Sequence, residues 1–472
     1  MAVDREDASL TGRSISPQLI EKYAVSAPRY TSYPTAADFS QAVTSDVWRE
    51  TLSNTFFAMP PSPIALYFHI PFCHSLCYFC ACHKIIPKNR NLVAPFLEAI
   101  KHELAAYKKV VGDHHHVVQI HWGGGTPNYL TREEMGLLSS AIHQTFPRFA
   151  SSTEFSIEID PRVSNFETLA TLRAIGCNRL SLGIQDFNPA VQRAIHRVQS
   201  FVETERLFSR ARQLSFESIN VDLIYGLPLQ TRETFRDTIE KVILLRPERI
   251  ALYAYAHVPW IQKIQNSFKR FKLASSEERG LIFNDSTQRL LEAGYVHIGM
   301  DHFALPHDEL ARASQQSRLM RNFMGYTTRV ADYLLAFGPS AISTVPSCFA
   351  QNEKVLEKYF EKTTQNGFAI ERGVLCNLDD YMRQSVISEL FCHGQINMHN
   401  WEQIWQIPFQ RKFRTELSLI KEFEEDGLIQ YDPHRIVLTP QGKFFVRNIA
   451  TVFDARIGKY QGSKRAIFSS AV

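Results

Sequence analysis

The sequence predicts an α/β fold: a partial (β/α)6 barrel of TIM type, with an N-terminal arm and a C-terminal, mainly helical, winged-helix-like domain. Three observations carry that expectation. Strand-like and helix-like stretches alternate six times between residues 64 and 256, the signature of parallel strands joined by helical crossovers. Residues 1–60 lack the alternation and carry Pro28, Pro34 and Pro60, as an extended arm packed on something else would. Residues 370–472 change character again. The expected domains are therefore an arm over 1–60, a barrel with a covering extension over 61–370, and a cap over 371–472.

The strand-like runs are 64–70, 117–122, 153–159, 178–184, 218–224 and 249–256. Between them, 91–111, 132–146, 165–175, 201–213 and 231–245 place apolar residues at helical spacing. Six repeats are too few for a closed eight-fold barrel, so an open one is expected, with its chemistry at the C-terminal strand ends. A further helix over about 276–293 and a short strand over 295–300 precede a loop rich in polar and aromatic residues. Residues 416–450 read as helix, short hairpin around Asp432 and Pro433, then helix.

Composition narrows the function. A chain of 472 residues, 44% hydrophobic and 21% charged, can bury a large core. A net charge of +4 gives little reason to expect nucleic acid. No run of 18 apolar residues suggests a membrane span, and the first fourteen residues lack the apolar stretch of a secretion signal. A cytoplasmic location is expected. Four of the eight cysteines fall within ten residues, a pattern of metal binding rather than of a disulfide framework.

That cluster is Cys73, Cys77, Cys80 and Cys82, directly after the first strand. The first three have the spacing C-x3-C-x2-C. A 4Fe–4S cube usually takes four thiolates, so three from one loop leave an iron open to chelate a small molecule. S-adenosylmethionine offers an amino and a carboxylate group for that role, and an electron passed into its sulfonium releases a 5′-deoxyadenosyl radical. A cofactor of this kind carries the hard chemistry, while the protein orients it and excludes water. The alternatives are a zinc site on all four thiols, although zinc sites usually draw on two separated pairs, and buried cysteines without a ligand role.

Gly123, Gly124, Gly125, Thr126 and Pro127 follow the second strand, and glycines allow backbone to approach a ligand closely. The run is expected opposite the cysteine loop, where a methionyl amino group would find backbone acceptors. Later strands end in polar residues: Glu158 and Asp160, Gln185 and Asp186, then Asp222. Gathered at one rim, they suggest a polar ligand site. Arg197 could pair with a ligand carboxylate.

Beyond this loop, which marks the radical S-adenosylmethionine (SAM) superfamily, the chain resembles the oxygen-independent coproporphyrinogen III oxidases of bacterial haem synthesis. The resemblance rests on Arg29 to Thr35, Tyr67 to Cys82, the glycine run, 156–162, 182–187, 222–228, 255–259, 299–304, 322–328 and 340–343, and spans almost the whole chain. It implies a 4Fe–4S cluster on Cys73, Cys77 and Cys80 and two molecules of SAM. Tyr67, Gly124, Glu158 and Ile342 are implied as contacts to the cluster-bound molecule. Phe79, Gly125, Thr126, Gln185, Arg197, Asp222 and Ala256 are implied around the second. Cys82 and His69 are the candidate catalytic residues: Cys82 matches a family cysteine outside the ligand set, and His69 is expected to position substrate or to stabilise the cysteine loop.

The implied reaction converts two propionates of coproporphyrinogen III to vinyl groups, giving protoporphyrinogen IX. A hydrogen is taken β to each carboxylate, then carbon dioxide and an electron leave. A low-potential donor such as a flavodoxin or ferredoxin is implied, with no nucleic acid or membrane partner and a monomeric state. The chain departs from the family at Leu305, where a basic residue is usual, at Met324, usually Gln, and over 329–339. These departures are expected in the substrate cover, with Arg321 and Arg329 near enough to compensate. The competing readings are a methyltransferase-like radical SAM paralogue and a tetrapyrrole-binding protein without oxidase activity.

Overall fold

A strand buried on both faces reads as a continuous apolar run, and β1 (Pro63–Ile70) is of this kind, buried at every position after Pro63. In the computed structural model, which describes residues 16–58, 60–460 and 468–469, β1 is followed by β2 (His116–Gly124), β3 (Phe149–Ile159), β4 (Arg179–Gln185), β5 (Ser218–Tyr225) and β6 (Arg249–Ala254). Each pairs in parallel with the one before it. Helices Val93–Val111, Arg132–Thr145, Phe166–Ala174, Phe201–Gln213 and Arg232–Leu245 return the chain between them. Four of these helices start on a side chain, of Thr131, Asn165, Ser200 or Thr231, that accepts a first-turn N–H and so satisfies an otherwise orphaned donor.

The sheet goes further than six strands. β7 (Val296–Gly299) and β8 (His302–Ala304) add antiparallel strands beside β6. A small hairpin follows, β9 (Met320–Asn322) and β10 (Gly325–Thr327). Then β11 (Tyr333–Phe337) returns to lie parallel to β1. β12 (Ile342–Val345), β13 (Cys348–Asn352) and β14 (Ile370–Leu375) extend that edge antiparallel. The parallel part thus has seven strands, in the order β11-β1-β2-β3-β4-β5-β6. The sequence reading gives no strand at 333–337: this five-residue run stands outside the strand–helix alternation and pairs with β1, about 270 residues earlier.

The arm also differs from the expectation of an extended segment. It contains the helices Pro17–Tyr23 and Ser45–Ala58. Trp48, Leu52 and Phe56, four residues apart, put one face of the second helix into the barrel core. Trp48 is fully buried and donates its indole N–H to Tyr107 Oη at 3.1 Å. Upstream, Ile20, Tyr23, Tyr30 and Tyr33 belong to a second core, formed with the C-terminal residues. There Tyr23 stacks on Phe423 at 5.1 Å and Tyr30 Oη donates to Asp454 at 2.9 Å. One arm therefore serves two cores.

The C-terminal region opens with the helix Leu378–His393 and contains the antiparallel sheet β15 (Gln395–Asn397), β17 (Arg435–Leu438), β16 (Ile429–Tyr431), in that spatial order. The β16–β17 turn falls at 432–434, where the hairpin was expected. Among the described residues no helix is long and apolar enough to cross a membrane. The first fourteen residues lie outside the described ones.

Candidate active site

The loop leaving β1 is tied down along its length. Cys73 N donates to Ile85 O at 2.9 Å, Ile85 N to Pro71 O at 2.7 Å, and Tyr78 N to Ile195 O at 3.0 Å. Cys73, Cys77, Cys80 and Cys82 all line one cavity of about 460 Å³ at the C-terminal ends of the strands. The Thr126 hydroxyl donates to Cys73 Sγ at 3.3 Å. Arg197 and Arg162 reach Cys77 Sγ at 3.6 and 3.8 Å, and cations beside a sulfur favour its thiolate. Burial pushes the Cys73 thiol up to about 11. A hydrogen bond from Cys82 draws Cys80 down to about 6, against burial and with help from the Lys84 ammonium. Among the described residues no three metal-ligating side chains converge as on a single ion. Three thiols at C-x3-C-x2-C spacing on one cavity wall fit three corners of an iron–sulfur cube.

The glycine run is not opposite this loop but beside it, because β1 and β2 are neighbours. Gly125 N donates to Ile70 O and Thr126 N to Phe72 O, both at 2.8 Å. A Cβ on Gly125 would lie 2.5 Å from Pro71 O, and one on Gly124, whose φ is +106°, 2.5 Å from the His69 ring. Side chains are excluded here by contact as well as by conformation. Burial lowers the His69 imidazole to about 4, so it is neutral. Nδ1 therefore accepts from Tyr67 Oη at 3.0 Å and Nε2–H donates to His83 O at 2.9 Å. Neither Tyr67 nor His69 is on the wall of the cavity. His69 buttresses the loop just past Cys82.

Phe79, Gly124, Gly125, Thr126, Glu158, Gln185, Arg197 and Asp222 do line the cavity. Glu158 accepts from Gly124 N at 3.1 Å and meets His121 Nε2 at 3.4 Å. Burial alone would raise its carboxyl, but the His121 contact and the Gly124 N–H hold it below the ordinary value. Its side chain stays 44% open because it faces the cavity. Asp222 lies within β5 rather than at its end, paired with Gly183 and Ala251. Burial and then the nearby Glu158 push its carboxyl up to about 6, although Ser181 and Asn220 donate to it at 2.8 and 2.9 Å. Gln185, at φ +69°, has a buried Oε1 without a partner among the described residues. Such an atom on a cavity wall is an open acceptor for a polar ligand.

Other expectations are redirected. Arg197 is not free for a ligand alone: it pairs with Asp160 through two contacts of 3.2 Å and donates to Gly183 O at 2.6 Å. Asp186 turns away from the cavity and accepts from Gln230, Thr238 and the Asn188 N–H. Ala256 lies beyond β6, its carbonyl held by the Gln265 amide at 3.1 Å. Ile342 borders a separate cavity of about 340 Å³ between the arm, the β9–β10 hairpin and the helix Leu378–His393. Leu305 is buried in the barrel core, so its departure from the family pattern changes packing and not the cavity wall. Met324 does line the cavity. The segment 329–339 supplies β11. Arg321 is occupied with the carbonyls of Tyr30 and Arg29, and Arg329 pairs with Glu309.

The sequence reading missed the cavity's lower half. It runs down the barrel past His121, Ser181, Asn220, Tyr253 and His302 to a floor at the start of β4 and β6. There Arg179, Arg249 and Arg329 pair with Glu154, Asp308 and Glu309. Three cations against three carboxylates leave the floor neutral. Inward-facing polar residues inside strands were the available signal; only those near strand ends drew notice.

Residues 67–242 match the Radical SAM superfamily and residues 377–445 the HemN C-terminal domain. The chain is 41% identical over 436 residues to the oxygen-independent coproporphyrinogen III oxidase of Escherichia coli K12, covering 92% of this chain and 94% of that one. It is 39% identical over 461 residues to the same-named protein of Synechocystis, covering 97% and 98%. A solved structure of coproporphyrinogen III oxidase from Escherichia coli, described as a radical SAM enzyme, superposes with a TM-score of 0.88 at 39% identity, covering 94% of this chain and all of that one.

Proposed function

Because the chain belongs to the oxygen-independent coproporphyrinogen III oxidase family of radical SAM enzymes, we propose that its cavity is where two propionates of coproporphyrinogen III become the vinyl groups of protoporphyrinogen IX. The observation that carries this reading is the joint lining of one cavity by three cysteines at C-x3-C-x2-C spacing, the glycine run, Glu158 and Asp222. Cys73, Cys77 and Cys80 would hold a 4Fe–4S cluster. With SAM bound, that cluster would supply a carbon-centred radical for hydrogen abstraction.

The chain's own residues do the rest. Thr126, Arg162 and Arg197 stabilise negative sulfur at Cys73 and Cys77. The Gly124 and Gly125 backbone gives a ligand room against the loop. Glu158, kept charged, accepts from a ligand ammonium, and the open Gln185 oxygen takes another donor. Asp222, pushed up to about 6, holds its proton further towards neutrality than an ordinary carboxyl. Of the residues expected around the cluster-bound SAM, Gly124 and Glu158 line the cavity, and of those expected around the second, Phe79, Gly125, Thr126, Gln185, Arg197 and Asp222 do, which supports two SAM sites within this one cavity. Tyr67, Ile342 and Ala256 stand off its wall, so their expected SAM contacts are not part of this proposal. His69 acts as a positioning residue for the loop that carries Cys82. Division into arm, barrel and cap near residues 60 and 370, a monomeric state, a reducing cytoplasmic setting and a flavodoxin- or ferredoxin-type donor belong to the same reading.

The test is anaerobic turnover of the cluster-loaded protein with dithionite, SAM and coproporphyrinogen III, followed by mass spectrometry. Protoporphyrinogen IX with matching methionine and 5′-deoxyadenosine is the expected result. Formation of 5′-deoxyadenosine with an unchanged tetrapyrrole would retain the radical chemistry and overturn the substrate.

A further inference from the structure

An electron has to enter this centre from outside, and the surface over the cysteine loop has a distinctive make-up. Residues 74–92 and 257–276 contain no Asp or Glu but include Lys84, Lys88, Arg90, Lys263, Lys269, Arg270 and Lys272. The whole chain carries only +4, so seven cations in two short segments are a local concentration. The segments meet at the loop. Gln262 Nε2 donates to Ala81 O at 3.0 Å and Gln265 Nε2 to Phe79 O at 3.1 Å. Phe268, Phe271 and Leu273 join Tyr78 and Phe79 in one apolar cluster. Beside the Gln262 contact, Trp260 and Ile261 are 45% and 60% exposed. Among the described residues Lys263, Lys269 and Arg270 form no ion pair.

We propose that this face, the exposed Trp260 and Ile261 followed by Lys263, Lys269 and Arg270 on the short helix Lys263–Arg270, docks the acidic protein that delivers the electron, a small one-electron carrier with a low-potential flavin or iron–sulfur centre. The proposal rests on the radical SAM reading of the cavity. The Ala81 carbonyl held by Gln262 lies between Cys80 and Cys82, so a protein seated on this segment comes within a few residues of the ligand thiolates. Tunnelling falls steeply with distance, which makes that approach short. Fields of one sign steer an oppositely charged partner, and an exposed Trp is a common binding anchor. The charge is thus suited to capture and the apolar pair to seating. The step moves one electron and no atoms: the carrier is oxidised by one electron and the cluster on Cys73, Cys77 and Cys80 is reduced by one.

The experiment compares the cluster-loaded enzyme with its Lys263→Glu/Lys269→Glu/Arg270→Glu variant and, separately, with Trp260→Ala. Binding of a bacterial flavodoxin is titrated at low and high salt, and turnover is driven either by that flavodoxin in reduced form or by dithionite. Expected are a roughly tenfold or greater loss of flavodoxin affinity in each variant, a matching loss of flavodoxin-driven turnover, and unchanged dithionite-driven turnover. Flavodoxin affinity unchanged in both variants overturns the proposal. The titration needs no turnover, so it decides the surface even if the wild type leaves coproporphyrinogen III intact and the proposed substrate fails. Binding to anionic phosphatidylglycerol vesicles that is lost in the variants, with flavodoxin binding unaltered, would assign the face to lipid and equally overturn the proposal.

Discussion

Replacing Glu158 by Gln tests the ligand role of the cavity most directly. A carboxylate offers about four acceptor positions. Gly124 N–H and His121 take one on each oxygen, and the rest faces the cavity. A charge-assisted hydrogen bond from a ligand ammonium is worth about 1.5–3 kcal/mol, or roughly 10- to 150-fold in affinity. Gln keeps the shape, removes the charge and turns one oxygen into a donor. The SAM dissociation constant of anaerobic, cluster-loaded protein should rise by that factor, while the visible absorbance of the cluster stays the same. The wild-type carboxyl is held below its ordinary value, so its contribution is present above that range and is lost only as pH falls through the lowered pKa. Affinity should therefore be insensitive to Glu158 titration from about pH 5.5 upward. SAM affinity within threefold of wild type, with the cluster intact, would refute the assignment.

Four further outcomes are expected. Cys73→Ser, Cys77→Ser and Cys80→Ser should each remove the cluster absorbance and SAM cleavage; a variant with full iron content and absorbance would remove that residue from the ligand set. Gly124→Ala meets both the His69 ring and a φ of +106°, costing about 1–3 kcal/mol of strain, to be read as a lower thermal midpoint and incomplete cluster loading. Trp48→Ala should cost about 3–5 kcal/mol, seen as a lower denaturation midpoint, because the fully buried indole also leaves Tyr107 without its donor. Glu103, which accepts from Gly338 N, Asn352 and Tyr359, is pushed up by burial to about 7 and Asp222 to about 6. Raised carboxyls give stability that is full below their unfolded values and lost as pH rises through 6 and 7. Glu103→Gln and Asp222→Asn should each flatten the wild-type decline in unfolding midpoint between pH 5 and 8, and parallel profiles would refute this.

The barrel was legible because its physics is local. Strand-like runs alternating with helical patterns located all six crossover strands to within a few residues, except that β3 starts four residues earlier than expected, at Phe149. The cysteine spacing and the glycine run were legible for the same reason: each is a short, rigid turn. What was not legible depends on distant partners. β11 shows as a strand only once β1 is beside it. Leu305, placed among the cover residues by its neighbours in sequence, is core because Glu248 O holds its N–H at 2.9 Å against the barrel. Asp160 and Arg197 each looked available to ligand, yet they are thirty-seven residues apart and satisfy each other.

The arm shared between two cores has a consequence for how the chain is made. Tyr30 waits for Asp454, a partner 424 positions later, and Tyr23 for a carboxylate 403 positions later, at Asp426. The arm helix Pro17–Tyr23 and Tyr30 therefore reach their final seats only after the last helices are synthesised. Closing so long a loop adds little entropy beyond a medium one, but contacts of such sequence separation form slowly. Until then the barrel can assemble on its own crossovers. In that interval Ile20, Tyr23, Tyr30 and Tyr33, which end buried in the second core, are apolar surface without a cover.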